Sequence, residues 1–401
     1  MIPFVMLKRS LEAQYPKVFA EFFAGIGLMR MGLERTGWTA AYANDIDPDK
    51  KEMYEAHFGN AGGAFHLGDI HHINPISIPH VTLATASFPC NDLSLAGSRT
   101  GLAGKQSSAY WGFIKILDSF GRRRPPVILL ENVIGFLNSH GGKDFEDALL
   151  ALNGLGYATD AFVIDAARFV PQSRVRLFVI GCMTGLYDEG AINETPFFYE
   201  CEMRPKALAQ FIFNHPGINW LMRDLPPLPL RTATLRDILE DFPRNDCNWW
   251  SCERTDYLIS QMSAKHRCRL LEMSRRRKYS YGTVFRRVRQ GKSMAELRID
   301  GIAGCLRTPR GGSGRQILVK AGYGNIQARL LMPRECARLM GANDFNISVP
   351  LNQALFGFGD AVCVPVIAWI AQNYIDPLLG KLQSKPVVVD YGKREDYAAA
   401  I

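Results

Sequence analysis

Between residues 17 and 181 the chain alternates short, almost wholly apolar runs with stretches of helical periodicity. The apolar runs are 18–23, 81–88, 127–130 and 175–180, and the helical patterns include 27–36, 107–120 and 144–155. A strand with no polar face needs cover on both sides, and strand–helix alternation supplies it. The pattern therefore predicts a mostly parallel, doubly wound α/β sheet between two helical layers. From about 185 to 325 the alternation dissolves into LPPLPL (225–230), CNWWSC (247–252) and RRRK (275–278), which read as a smaller, irregular domain. Helical periodicity returns at 333–340 and 362–374, before the polar stretch PVVVDYGKRED. The expected division is 17–184, 185–330, 331–380 (returning to the first domain) and a tail, 381–401.

Charge follows the same division. Residues 203–330 hold 24 Lys+Arg against 10 Asp+Glu, whereas the whole chain is only +8, so the remainder is net acidic. A basic segment set in an acidic frame points to a polyanionic partner. No apolar run approaches the roughly 18 residues of a membrane span, and MIPFVMLKRS is too short for a secretory signal, so no membrane is expected. Nine cysteines without paired spacing fit a reducing cytoplasm.

The stretch VFAEFFAGIGLMRMGLERTGW reads as strand, glycine turn and helix, with Gly25 and Gly27 letting the backbone approach a ligand at a helix N-terminus. The dinucleotide fingerprint needs a third glycine, and position 30 is arginine. Asp45, in Asn44-Asp45-Ile46-Asp47, stands where a second strand should end and can accept from both ribose hydroxyls. Asp69, followed by Ile70, stands at the expected end of a third strand, within reach of an adenine amino group. Each aspartate alone is more readily a helix cap or a turn residue. Three such sites at successive strand ends favour an adenosine pocket.

Cys90 follows the apolar run 81–88 directly after Pro89, at a strand-to-loop junction where backbone N–H groups favour a thiolate. Residues 91–106, rich in Gly and Ser, read as a loop able to close over a substrate. Glu131 ends the apolar run PPVILLENV, an expensive place for a carboxylate unless it is paired or functional. Gln172, Arg174 and Arg176 alternate, so an extended backbone aims all three at one face. Farther on, Arg275, Arg276, Arg277, Lys278, Arg286, Arg287 and Arg289 suit phosphate contacts. The Gly-rich segment 306–316 carries Arg307, Arg310, Arg315 and Gln316, side chains suited to guanine and adenine edges or to phosphates. Cys247, Cys252, His266 and Cys268 match no zinc spacing, and no metal is expected.

Together FAGIG, NDID, GDI, FPCNDLS, ENV, QSRVR, PRECARLMG and GFGDAV, in this order, resemble the DNA cytosine-5 methyltransferase family. The likeness covers about 17–181 and 300–375 and leaves the basic middle as the family's variable target-recognition region. Asn91 stands where the family more often has Gln, and Asp360 where it usually has Asn. The resemblance implies a Rossmann-like class I methyltransferase fold and S-adenosylmethionine as cofactor. It implies Cys90 as nucleophile at cytosine C6, Glu131 at N3, and Arg176 with Arg174 at O2. Phe23, Ala24, Gly25 and Gly27 would hold the methionine part, Asp45 and Ile46 the ribose, and Asp69 and Ile70 the adenine. Pro89, Asp360 and Ala361 would complete that site, and Ser94 would touch DNA. Double-stranded DNA is the implied substrate, in a prokaryotic restriction–modification or phage-defence setting. The enzyme would be cytoplasmic, nucleoid-associated and monomeric on DNA, with any nuclease a separate chain. A tRNA cytosine methyltransferase shares this chemistry, but the long basic segment favours duplex DNA. A non-catalytic DNA-binding relative would be expected to lack Cys90, Glu131 or the arginines, and a nicotinamide dehydrogenase explains neither FPCN nor QSRVR.

Overall fold

The computed structural model describes residues 15–59, 63–89, 108–184, 199–289, 291–308 and 314–384. Its larger sheet contains β1 (Val18–Phe22), β2 (Thr39–Asp45), β3 (Phe65–Leu67), β4 (Leu83–Ala86), β5 (Val127–Val133), β6 (Tyr157–Asp165) and β7 (Val175–Met183), in the order β3-β2-β1-β4-β5-β7-β6. The strands from β3 to β5 are parallel; β7 runs antiparallel to both β5 and β6. The central strands are buried on both faces, as their unbroken apolar runs require. One layer is built from Tyr110, Phe113, Leu117, Phe145 and Leu149 on helices Ser108–Ser119 and Lys143–Gly154. The other is built from helix Leu28–Glu34 and the C-terminal helices. Gly32 makes that second layer tight, since a Cβ there would meet Ile367 at 2.6 Å.

Strand order reverses between β1 and β4, so the carboxyl ends of both open into one crevice. The reversed β7 adds its amino end to the same edge. Arg176 lies opposite Val133, and Phe178 opposite Glu131.

Residues 199–238 depart from the expected division at 185. Helix Lys206–Asn214 buries Leu208, Phe211 and Ile212 in the sheet's core, and Leu228, Leu235 and Ile238 join the opposite layer. Arg204 is held by both carboxylate oxygens of buried Asp160, each at 2.8 Å, and Tyr374 Oη donates to the same carboxylate at 2.8 Å. The smaller unit is also more regular than expected. An antiparallel sheet of β8 (Ser280–Arg289), β9 (Lys292–Arg298), β10 (Ile317–Gly322) and β11 (Asn325–Leu330), ordered β11-β10-β8-β9, packs on helices Cys252–Ser260 and Ala264–Ser274. Its core is small: Leu258, Leu270, Met273, Val284, Leu297, Ile317, Val319 and Ala328. The arginines on β8 mask the alternation that would have marked it as a strand.

The segment Leu351–Gly380 is long and apolar enough to cross a membrane by composition, contrary to the expectation that no run approaches that length. Here 61% of its most apolar window is buried, with Phe358, Val364, Ile367, Ile370 and Tyr374 packed in the core of the larger unit.

Candidate active site

The crevice at the carboxyl edge of the large sheet has a volume of about 1630 Å³. Phe23, Gly25, Asp45, Asp69, Pro89 and Glu131 line it from the sheet side; Phe285, Arg307 and Asp360 line it from the other. Cys90 and Ser94, with the candidate closing loop 91–106 and Arg310, lie outside the described residues.

On the β1 side the chain turns through three left-handed residues: Phe23 (φ 58°), Gly25 (φ 55°) and Gly27 (φ 82°). Gly27 must be glycine, because a Cβ would sit 2.4 Å from the Phe58 ring. Gly25 faces space, with Lys50 Cδ nearest at 3.9 Å. Arg30, which replaces the third glycine of the dinucleotide fingerprint, places its guanidinium 4.1 Å over the Phe58 ring and donates to Tyr54 Oη. Asp45 holds the turn: its Oδ2 accepts from Gly25 N at 2.8 Å and its Oδ1 from Asp47 N at 2.9 Å, leaving each oxygen a further lone pair toward the crevice. Ile46 is 65% exposed beside it, an apolar shelf at the crevice wall. Asp69 Oδ1 caps its own helical turn through His71 N, and Ile70 packs beneath, against Gly112. The capping and ligand readings of these aspartates are thus compatible.

Sequence reasoning passed over Glu21. It is 1% exposed on β1, its Oε1 accepts weakly from Arg30 N, and its buried Oε2 has no hydrogen-bond partner among the described residues. Burial pushes its carboxyl up to about 8. The signal was available, since a glutamate inside an apolar strand invites the question asked of Glu131. These features fit S-adenosylmethionine: a backbone cradle opened by Gly25 and Gly27, acceptors for the ribose, an apolar shelf, and in the crevice lining a buried carboxyl oxygen with no partner among the described residues.

On the β5–β7 side Glu131 Oε1 lies 2.9 Å from Arg176 Nε, and both side chains are largely buried. The pair is diagonal across neighbouring antiparallel strands. Asn132 donates to Phe88 O at 3.2 Å and so ties the end of β5 to the turn preceding Cys90. Ser87 Oγ is buried in the same wall, with no hydrogen-bond partner among the described residues.

Two expectations for the arginine–glutamine strand are corrected. Arg174 precedes β7, is 2% exposed, and commits four N–H groups: to Leu306 O, Cys305 Sγ, Gly359 O and Ala361 O. Burial, and then the neighbouring charge of Arg176, lower its pKa. It braces the crevice instead of reaching a substrate. Gln172 is fully buried and turned away, donating to Leu339 O and accepting from Leu306 N.

The candidate DNA side chains divide similarly. Arg307 is exposed at the crevice mouth, over the Phe285 ring at 5.0 Å, and Arg315 lies 5.8 Å from the Phe356 ring. Gln316 is 5% exposed and packed over Gly304, where a Cβ would meet its amide at 2.8 Å, so it presents no edge to a base. Arg275, Arg276 and Arg277 are exposed, but they precede β8, whose first residue, Ser280, is itself about 17 Å along the strand from Phe285. Among the described residues no His, Cys, Asp and Glu cluster is arranged for a metal.

A class I methyltransferase is what this strand order and crevice define. The chain belongs to the C-5 cytosine-specific DNA methylase family, whose model matches residues 18–376. It is 29% identical over 377 residues to the type II methyltransferase M.DsaV of Dactylococcopsis salina, covering 93% of this chain and 90% of that one. It is 27% identical to M.HhaI of Haemophilus parahaemolyticus over 359 residues, 88% of this chain and 93% of the relative. Among solved structures it resembles the S. pombe Dnmt2 methyltransferase, with a TM-score of 0.60 at 19% identity over 90% of this chain and 99% of the other, a likeness of fold. The protein is a cytoplasmic, S-adenosylmethionine-dependent enzyme that methylates C5 of cytosine in double-stranded DNA.

Proposed function

We propose that the enzyme methylates cytosine within one specific duplex sequence, with Cys90 as nucleophile and the Glu131–Arg176 pair as the clamp for an everted base. The observation that carries this reading is that pair, held in the same crevice as the glycine turn and Asp45. Cytosine C5 is too weak a nucleophile to accept a methyl group unaided. Addition of the Cys90 thiolate to C6 delivers an electron pair to C5 and makes it enamine-like. Glu131 holds and protonates N3, and Arg176 stabilises charge developing at O2. Arg174 keeps the walls at their spacing. The bound donor supplies an electrophilic methyl group. Loss of the C5 proton then lets Cys90 leave as thiolate and restores the ring.

The turn from Phe23 to Gly27 holds the methionine part, with Oε2 of Glu21 toward its ammonium. Asp45 and Ile46 take the ribose, Asp69 and Ile70 the adenine, and Pro89 and Ala361 close the site. Eversion costs a few kcal/mol, which a closing segment at 91–106 with Ser94 would offset. The small sheet is the recognition unit, with Arg307, Arg310 and Arg315 toward the DNA. The basic surface suits nucleoid association, and the enzyme acts as a monomer on DNA beside a separate restriction or defence protein.

Two experiments test the reading. The chain is expressed in a host lacking cytosine methylation and 5-methylcytosine is mapped across the genome; one short motif should become modified. Purified Cys90→Ser protein that still transferred label to duplex DNA would refute the covalent route.

A further inference from the structure

The carboxylate of Asp360 joins two surfaces that serve different substrates. Its Oδ2 lies 2.9 Å from Lys50 Nζ, and its Oδ1 accepts from Thr308 Oγ1 at 2.5 Å. Lys50 belongs to helix Pro48–Phe58, and its stem is the nearest group to the open side of Gly25, in the turn assigned to the donor. The charges of Asp45 and Asp47 also bear on it. Thr308, whose Oγ1 also lies 3.2 Å from Phe356 O, is in the segment 306–316 read as base-reading.

The backbone between these side chains has no slack. A Cβ on Gly359 would come within 2.6 Å of Thr308 Oγ1 and 2.7 Å of the Arg307 backbone. Arg174 pins Leu306 O to Gly359 O and Ala361 O. Gln353 Nε2 donates to Asp49 O at 3.1 Å and fastens helix Leu351–Asp360 to helix Pro48–Phe58. A shift at either end of the Lys50–Asp360–Thr308 chain must therefore move the other or break a bond. Asparagine at 360 could still accept from Thr308 but would lose the charge pair with Lys50.

We propose that Asp360 is a positioning residue that couples the two substrates, so that seating the cofactor orders the root of the base-reading segment and seating DNA steadies the cofactor turn. The proposal rests on the assignment of those two surfaces given above. Coupling of this kind is reciprocal: DNA tightens cofactor binding by the same factor as cofactor tightens DNA.

Calorimetry with S-adenosylhomocysteine, on the full chain with and without a duplex carrying the mapped motif, reads the coupling without turnover. Wild-type protein should bind S-adenosylhomocysteine about tenfold more tightly when the duplex is present. Thr308→Val should cut that factor below about twofold while leaving the duplex-free affinity within about twofold. Asp360→Asn and Lys50→Gln, which break the other arm, should reduce the factor as well. Variants that bind both ligands with the wild-type enhancement overturn the coupling and leave the wider reading intact. A wild-type protein that binds S-adenosylhomocysteine but gains nothing from the duplex also overturns it. Failure of wild-type protein to bind S-adenosylhomocysteine at all overturns the assignment of the crevice, and the coupling with it.

Discussion

Glu131 and Arg176 reach each other because their strands run in opposite directions, so the last turn of one wall meets the first residues of the other. Glu131→Gln keeps the shape but removes both the proton delivered to N3 and the charge facing Arg176. Steady-state kinetics should show kcat down by about 10²–10³ with the cofactor KM little changed. Glu21 carries a pH signature. Its carboxyl is pushed up to about 8 in the fold against an ordinary 4.5, so between those values the folded protein keeps a proton that the unfolded chain releases. Its contribution to stability therefore falls as pH rises through that window. Cofactor binding runs the other way: an ammonium favours the carboxylate, so affinity should rise from pH 6 to 8. Calorimetry on Glu21→Gln should find weaker binding and no such rise. Both glutamates were visible in the sequence as acids inside apolar strands, yet only the one at a strand end drew attention. The roles of Gln172 and Arg174 were not visible. Alternation assumes an extended backbone, and both residues precede β7 in a connector where carbonyls from two distant segments turn them inward.

Among the elements, the parallel core was legible because strands buried on both faces leave unbroken apolar runs. β6, with Thr159 and Asp160 in its middle, left none and went unread. Asp160 is there because Arg204 and Tyr374 satisfy it, binding the 199–225 stretch and the C-terminal helices to the sheet. Arg204→Ala would strand that carboxylate in the core. A loss of about 3–5 kcal/mol is expected, measurable by denaturant unfolding, against little change for exposed Arg254→Ala. The small sheet was the hardest to foresee, since its outward arginines carry no periodic apolar signal and its core is thin.

For the whole molecule, the basic region of the sequence resolves into separate surfaces. Arg307 stands at the crevice mouth, and Arg275, Arg276 and Arg277 stand at the distal end. If each of those charges meets one phosphate, Arg307→Ala should lower the slope of log affinity against log salt by about 1, and the triple alanine variant by up to about 3. Only the first should also reduce methylation of the mapped motif at saturating DNA. The two units interleave more deeply than a division at 185 and 330 implies. Ala303, Leu306 and Leu318 belong to the core of the large unit, and Gln172 and Arg174 grip the backbone of Leu306, Arg174 also reaching Cys305 Sγ. Sequence preference is therefore not a detachable cartridge in this protein. A transplant of the reading surface from a relative would take best with its junctions kept inside 244–299, leaving the 303–308 strip native. Grafts cut at the outer boundaries would have to import a matching glutamine and arginine from the donor's own scaffold.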